Sequence, residues 1–246
     1  MKMKINMSRK DFGSLRCRTV DALAPNVSPQ KLVILCHGYG ASGDDLVDFG
    51  PMLLENSDAI SNACRFIFPA APHDLASLGM PGGRAWWPIN VARLAEMQQT
   101  RDFHELTHLE PPGMAEASTM LRECIAAALV QNNLTEADLI VGGFSQGAMV
   151  TTSVTLSGLR PAVLAIFSGT LLHRTEWTRQ AEQHPGCRVV QSHGYQDPLL
   201  PMSAAVELRD LLSHAGFEVA FTEFQGGHTI PMTALTSLQS AIEACL

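Results

Sequence analysis

Leu139-Ile140-Val141-Gly142-Gly143-Phe144-Ser145-Gln146-Gly147-Ala148 is the stretch whose reading decides the fold of this 246-residue chain. It opens with a short apolar run, Leu139 to Gly142, of the kind that forms a strand buried on both faces. It continues into small and apolar residues, Gln146 to Ser157, at helical spacing. Between the two stands a serine flanked by Gly143 and Gly147. A chain that passes from strand to helix in so few residues turns sharply, and the strained backbone and close neighbours leave no room for larger side chains. A GxSxG in this strand-turn-helix context is the sequence form of a nucleophile elbow. Ser145 is then expected to stand exposed at the strand's C-terminal end. The helix behind it aims free N–H groups and a partial positive charge at any charge that develops there.

The same alternation extends to both sides. Apolar runs rich in β-branched residues and bounded by Gly or Pro predict strands at Leu32 to Cys36, Arg65 to Phe68, Val163 to Phe167, Arg188 to Ser192 and Glu218 to Phe224, with a further one at Leu15 to Val20. Helical spacing marks Asp45 to Leu54, Ala115 to Gln131, Ser203 to Ala215 and Thr233 to Ala244. Ala115 to Gln131, for example, gathers Met120, Leu121, Cys124 and Ala128 toward one side, as a helix covering a sheet should. The pattern predicts an α/β fold with a mostly parallel central sheet flanked by helices on both faces. A chain of this length is expected to form a single domain, residues 1–246. One region breaks the alternation. Residues 69–112 are Pro-rich at both ends, carry Gly82-Gly83 and Trp86-Trp87, and are too long for a simple connection, so a lid or substrate-loop excursion is expected there. Trp86 and Trp87 are read either as substrate-binding residues or as aromatics that cover the core.

Composition narrows the partners. Hydrophobic residues make up 46% and charged residues 17%, as in a globular protein. A net charge of −7 without a basic stripe excludes nucleic acid. Met1 to Lys10 is polar where a signal peptide needs an apolar stretch, and no run approaches the roughly 20 apolar residues that span a bilayer. The expectation is a chain that is not transmembrane and is cytoplasmic. Cys17, Cys36, Cys64, Cys124, Cys187 and Cys245 form no CxxC pair and read as reduced, mostly buried thiols, not as a disulfide framework or zinc site.

A serine hydroxyl is a poor nucleophile alone, so the elbow demands a histidine base and a carboxylate, which follow in the order Ser, Asp, His in an α/β-hydrolase chain. Asp197 lies in Ser192-His193-Gly194-Tyr195-Gln196-Asp197-Pro198, just beyond the strand at Arg188 to Ser192. His228 lies in Gly226-Gly227-His228, just beyond Glu218 to Phe224. All three residues sit at strand ends, the edge where open α/β sheets bind ligands. An oxyanion hole needs two backbone donors, assigned to Gln146 and to Tyr39 of His37-Gly38-Tyr39-Gly40. That loop lacks the Lys-Ser/Thr ending of a P-loop and the GxGxxG spacing, which argues against a nucleotide site.

His37-Gly38-Tyr39-Gly40, Gly142 to Gly147, His193 to Pro198 and Gly227-His228 together resemble the carboxylesterase, phospholipase and acyl-protein thioesterase group of α/β hydrolases, from Leu32 to near Ala244. The resemblance implies the α/β-hydrolase fold and esterase or thioesterase activity with no cofactor and no metal. It implies Ser145, Asp197 and His228 as the triad and the Tyr39 and Gln146 amides as the oxyanion hole. Its substrates are small esters, thioesters, lysolipids or acylated proteins, and a homodimer is the suggested assembly. A carboxylesterase on short to medium acyl esters is the reading taken. The chain departs from the group's thioesterases twice: Gly147-Ala148 replaces a Gly-Gly pair, and Met80 to Pro112 is longer. The second departure bears on the acyl pocket, so substrate choice stays open.

His104-Glu105-Leu106-Thr107-His108 matches HExxH, the zinc-protease signature. On a helix, however, Phe103, Leu106 and Leu109 would define one face and the histidines would point away from it; Pro111-Pro112 ends the segment without a GxxH continuation, and a third ligand would have to come from a residue such as Glu116 or Glu123. A non-catalytic, ligand-binding member of the fold would be expected to lack a triad residue, and none is missing. Asp197 has a backup in Glu207, while His37 and His193 read as structural hydrogen-bonders.

Overall fold

In the computed structural model, which describes residues 4–100, 103, 105–184 and 186–246, each predicted strand forms within two residues of its expected ends. The strands are β1 (Asn6–Phe12), β2 (Leu15–Asp21), β3 (Lys31–Cys36), β4 (Cys64–Pro69), β5 (His73–Asp74), β6 (Arg84–Ala85), β7 (Leu139–Phe144), β8 (Val163–Phe167), β9 (Arg188–Gly194) and β10 (Glu218–Phe224). The helices are α1 (Phe49–Asn56), α2 (Asp58–Ala63), α3 (Val91–Thr100), α4 (Met114–Asn132), α5 (Gln146–Leu156), α6 (Arg174–Gln183), α7 (Met202–His214) and α8 (Met232–Glu243). Eight strands form one sheet in the order β1-β2-β4-β3-β7-β8-β9-β10. β2 runs antiparallel to both neighbours, and every pairing from β4 to β10 is parallel. This is an α/β-hydrolase-like sheet, with its central strands apolar at nearly every position because both faces are covered.

Side chains alternate between two cores. Leu32, Ile34 and Cys36 of β3, Leu139 and Val141 of β7, and Leu164 and Ile166 of β8 join α4, α5 and α7 on one side. Val33 and Leu35, Ile140, and Val163 and Ala165 join α1, α2 and α8 on the other. Each fully buried Leu, Ile or Val contributes about 1.5–3 kcal/mol. At the antiparallel end, Asp21 of β2 stands opposite Arg65 of β4 in register. Arg65 Nε donates to the Asp21 carboxylate at 2.6 Å and its guanidinium reaches Asn132 of α4 at 2.7 Å, which ties the hairpin to the body.

Several elements were not expected. β1 is exposed along six of its seven residues, so no apolar alternation marked it. α6 buries only Trp177 and Ala181, too few for a stripe. The first helix starts at Phe49, not Asp45, because the chain before it runs through successive four-residue turns, closed by Asp45 N–H to Ser42 O, Val47 N–H to Asp44 O and Phe49 N–H to Leu46 O. The 69–112 excursion carries structure of its own: the antiparallel β5–β6 ribbon, α3, and single 3-10 turns at Ala76–Leu78 and Leu106–His108. No described helix is long and apolar enough to cross a membrane. All six cysteines are free, and Cys17 Sγ lies 3.7 Å from Cys124 Sγ in the core, a contact and not a bond.

The tightest constraint lies where α5 meets β3. A Cβ on Gly147 would stand 2.0 Å from the Cys36 carbonyl oxygen, and one on Gly143 would stand 2.5 Å from the same atom. Both clashes are with backbone, which cannot swing aside. Gly147→Ala therefore costs about 3 kcal/mol or more, at the upper end of overpacking penalties, and lowers Tm by about 6–12 °C. Thermal unfolding followed by circular dichroism checks this.

Candidate active site

Ser145 occupies the turn between β7 and α5 with φ 54 and ψ −119, a conformation that L-residues rarely adopt. Its N–H donates to the Phe167 carbonyl at 2.9 Å. The residue is half-buried, and Gly38 packs directly on it: a Cβ there would meet Ser145 Cβ at 3.3 Å and the Phe144 ring at 3.1 Å. The sharp turn, the strain and the close glycines appear together, but Ser145 is half-buried where the sequence reading expects it exposed, because Gly38 packs on it.

Asp197 and His228 arrive from the loops after β9 and β10, which run side by side. Tyr195 N–H donates to Phe224 O at 3.0 Å and Gln196 N–H to Gly226 O at 2.9 Å. Gly194 permits this approach, since a Cβ would lie 2.3 Å from Gly226 O. His228 Nδ1 is 2.7 Å from Asp197 Oδ2. A carboxylate can only accept, so Nδ1 carries the proton and the neutral ring's lone pair is on Nε2. The ring rests against Phe144, the residue before Ser145, with centroids 4.7 Å apart.

The Asp197 side chain has no exposed surface. Burial pushes its carboxyl up, but the His228 bond and charge, together with the Leu200 and Leu199 amides, outweigh this and leave it below the ordinary carboxylate range. Those amides donate to Oδ1 at 2.9 and 2.8 Å. His193 sits against the same carboxylate. Its Nε2 lies 3.0 Å from Leu200 O, which fixes Nε2 as the donor, and 3.4 Å from Asp197 Oδ2. Burial holds this imidazole below its ordinary value, so it is neutral, a structural partner as expected.

The Gly-rich loop after β3 closes over the elbow. His37 Nδ1 donates to Gly38 O at 2.8 Å and Nε2 accepts from Ala71 N–H at 3.0 Å, a pattern that only the neutral ring can satisfy. Burial lowers this imidazole too. The side chain of Gln146 fills a role that sequence reasoning missed: it accepts from Trp86 N–H at 2.8 Å and donates to Trp87 O at 2.9 Å. Trp86 Nε1 in turn donates to His37 O at 3.0 Å. Both tryptophans are buried, at 0% and 2% exposure, and these bonds join them to scaffold. They cover the core and brace the loop that carries Tyr39. As the first residue of α5, Gln146 has an N–H with no helical partner.

The remaining candidates lie elsewhere. Glu207 pairs with Arg174 on the wall of a cavity of about 1110 Å³ whose lining includes Asp197 but neither Ser145 nor His228. It is not a substitute for Asp197. Of the HExxH motif, His104 lies outside the described residues, Glu105 pairs with Arg93, and Leu106–His108 is one 3-10 turn. The helix on which two zinc-binding histidines share a face is not formed by Glu105 to His108. Leu106 is buried and His108 exposed, in line with the expected facing.

The model of the phospholipase/carboxylesterase family matches residues 20–246. Acyl-protein thioesterase 1 of Candida albicans is 25% identical over 209 residues, 81% of this chain and 84% of that protein. Acyl-protein thioesterase 1 of Eremothecium gossypii is 28% identical over 200 residues, 80% and 79% of the two chains. Among solved structures, the crystal structure of esterase PE8 superposes with a TM-score of 0.73 at 26% identity, covering 93% of this chain and 97% of its own. A carboxylesterase from Mesorhizobium loti, 16% identical, shares the fold at a TM-score of 0.71 over 96% of this chain and 97% of its own. With the match running from β2 to the last residue, the chain belongs to the phospholipase/carboxylesterase family.

Proposed function

We propose that this protein is a serine hydrolase that cleaves carboxylic ester or thioester bonds through an acyl-enzyme, with Ser145 as nucleophile, His228 as general base and Asp197 as its partner. The observation that carries the reading is the 2.7 Å bond from His228 Nδ1 to a buried, ionised Asp197. It leaves a basic Nε2 on a ring packed beside the strained serine turn.

In the first half of the cycle Ser145 Oγ attacks the substrate carbonyl while His228 Nε2 takes its proton. The N–H groups of Tyr39 and Gln146 receive the developing oxyanion. Support for this pair comes from Gly38, which seats the Tyr39 loop on Ser145, and from the free N–H at the start of α5. The imidazolium then protonates the departing alcohol or thiol. Water activated by the same histidine releases the acid and restores Ser145.

The relatives named acyl-protein thioesterase support thioesters and acylated proteins beside small esters as substrates. The esterase likeness supports the carboxylesterase reading on short to medium acyl esters.

A fluorophosphonate probe is expected to add once to the wild type and not to Ser145→Ala, read by intact mass, with p-nitrophenyl ester turnover lost in the variant. Asp197→Asn keeps an acceptor for the Leu199 and Leu200 amides, so it should fold, yet kcat falls by about 10³- to 10⁴-fold because the imidazole loses its tautomer control. Wild-type turnover in Asp197→Asn would remove Asp197 from the mechanism. The pH profile follows from the lowered Asp197 carboxyl. Asp197 keeps its charge, and with it its bond to His228, until pH falls below the ordinary carboxylate range, so the loss of kcat caused by protonating Asp197 is expected only there. A loss of kcat through protonation of Asp197 at or above the ordinary carboxylate range contradicts this.

A further inference from the structure

The three residues proposed as the triad come from three loops, and one peptide group is bonded to two of their supports. The Phe167 carbonyl accepts the Ser145 N–H at 2.9 Å, and the N–H of the same peptide, on Ser168, donates to Ser192 O at 2.9 Å, on the strand that leads to Asp197. The third loop is reached by a side chain. Ser168 Oγ donates at 3.0 Å to the carbonyl of Thr229, the residue after His228. Ser168 is fully buried and lies at φ 47, a left-handed conformation that glycine adopts more easily. Strain of this kind persists only where the surroundings enforce it. A side chain kept at such a backbone position points to work done by the side chain, and the hydroxyl's bond is to the His228 loop.

We infer that Ser168 is a positioning residue. Its hydroxyl fixes the His228-Thr229 peptide, and through it the angle at which the imidazole faces Ser145, while its backbone holds the Ser145 and Asp197 supports at the end of β8. This rests on the Ser145, His228 and Asp197 reading above.

The test compares Ser168→Gly with Ser168→Ala. Both delete the hydroxyl, but only glycine relieves the left-handed backbone. Tm, kcat and KM on a p-nitrophenyl ester, and the rate of fluorophosphonate labelling are measured for each. Positioning predicts that kcat and labelling rate fall together by about 10- to 100-fold in both variants, with KM within about twofold. It also predicts a higher Tm for Ser168→Gly than for Ser168→Ala, so activity follows the hydroxyl while stability follows the backbone. Wild-type kcat in Ser168→Gly overturns the assignment, as does a kcat loss that merely tracks Tm across the pair. If the wild type itself is not labelled at Ser145, the underlying triad reading falls and this one with it. Labelling of wild type and both variants at one rate leaves the triad standing and removes Ser168 alone.

Discussion

The Cys36 carbonyl is the atom around which the site is built. Gly143 and Gly147 both crowd it, so the end of β7 and the first turn of α5 press onto the end of β3 with no side chain between them. That contact forces the chain to reverse within one residue, and Ser145 takes the strain at φ 54. Because β3 continues directly into His37-Gly38-Tyr39-Gly40, the same contact brings the loop beside the serine. A larger residue at either glycine would separate the hydroxyl from the neighbouring amides as well as loosen the core. Packing and chemistry are therefore one constraint here.

Around this point the protein places buried polar groups whose protonation is set by their partners. His37 is held neutral between an acceptor and a donor of the backbone, and His193 is neutral with its proton on Nε2. Neither takes a charge that would compete with His228 for Asp197. Two amides and an imidazole hold the Asp197 carboxylate ionised despite burial. Of these three imidazoles, His228 alone gives Asp197 a hydrogen bond, at 2.7 Å.

What could be read from sequence was whatever leaves a periodic or spaced trace. β3, β7 and β8 are apolar at nearly every position and were legible, and Ser145, Asp197 and His228 could be picked out as candidates because each follows a predicted strand, β7, β9 and β10 in turn. β1 and α6 left no trace: one is exposed on both faces, and the other buries two residues. The side-chain role of Gln146 and the bracing by Trp86 are long-range pairings across about 60 positions, which no local pattern encodes. Ser168 carried only the faint signal of a serine before Gly169 at the end of an apolar run; its left-handed backbone is a property of three-dimensional closure.

The open ends of the sheet have a consequence for how molecules of this protein behave in crowded solution. An unpaired edge strand is a template for β-pairing with another chain, and a long, flat, apolar edge seeds fibres. β1 occupies one edge and β10 the other. β1 displays Arg9, Lys10 and Asp11 to solvent, and β10 displays Glu218 and Glu223. A strand laid along either edge must desolvate these charges before gaining ladder bonds. The polarity that hid β1 from the sequence reading is thus also its guard against edge-to-edge aggregation.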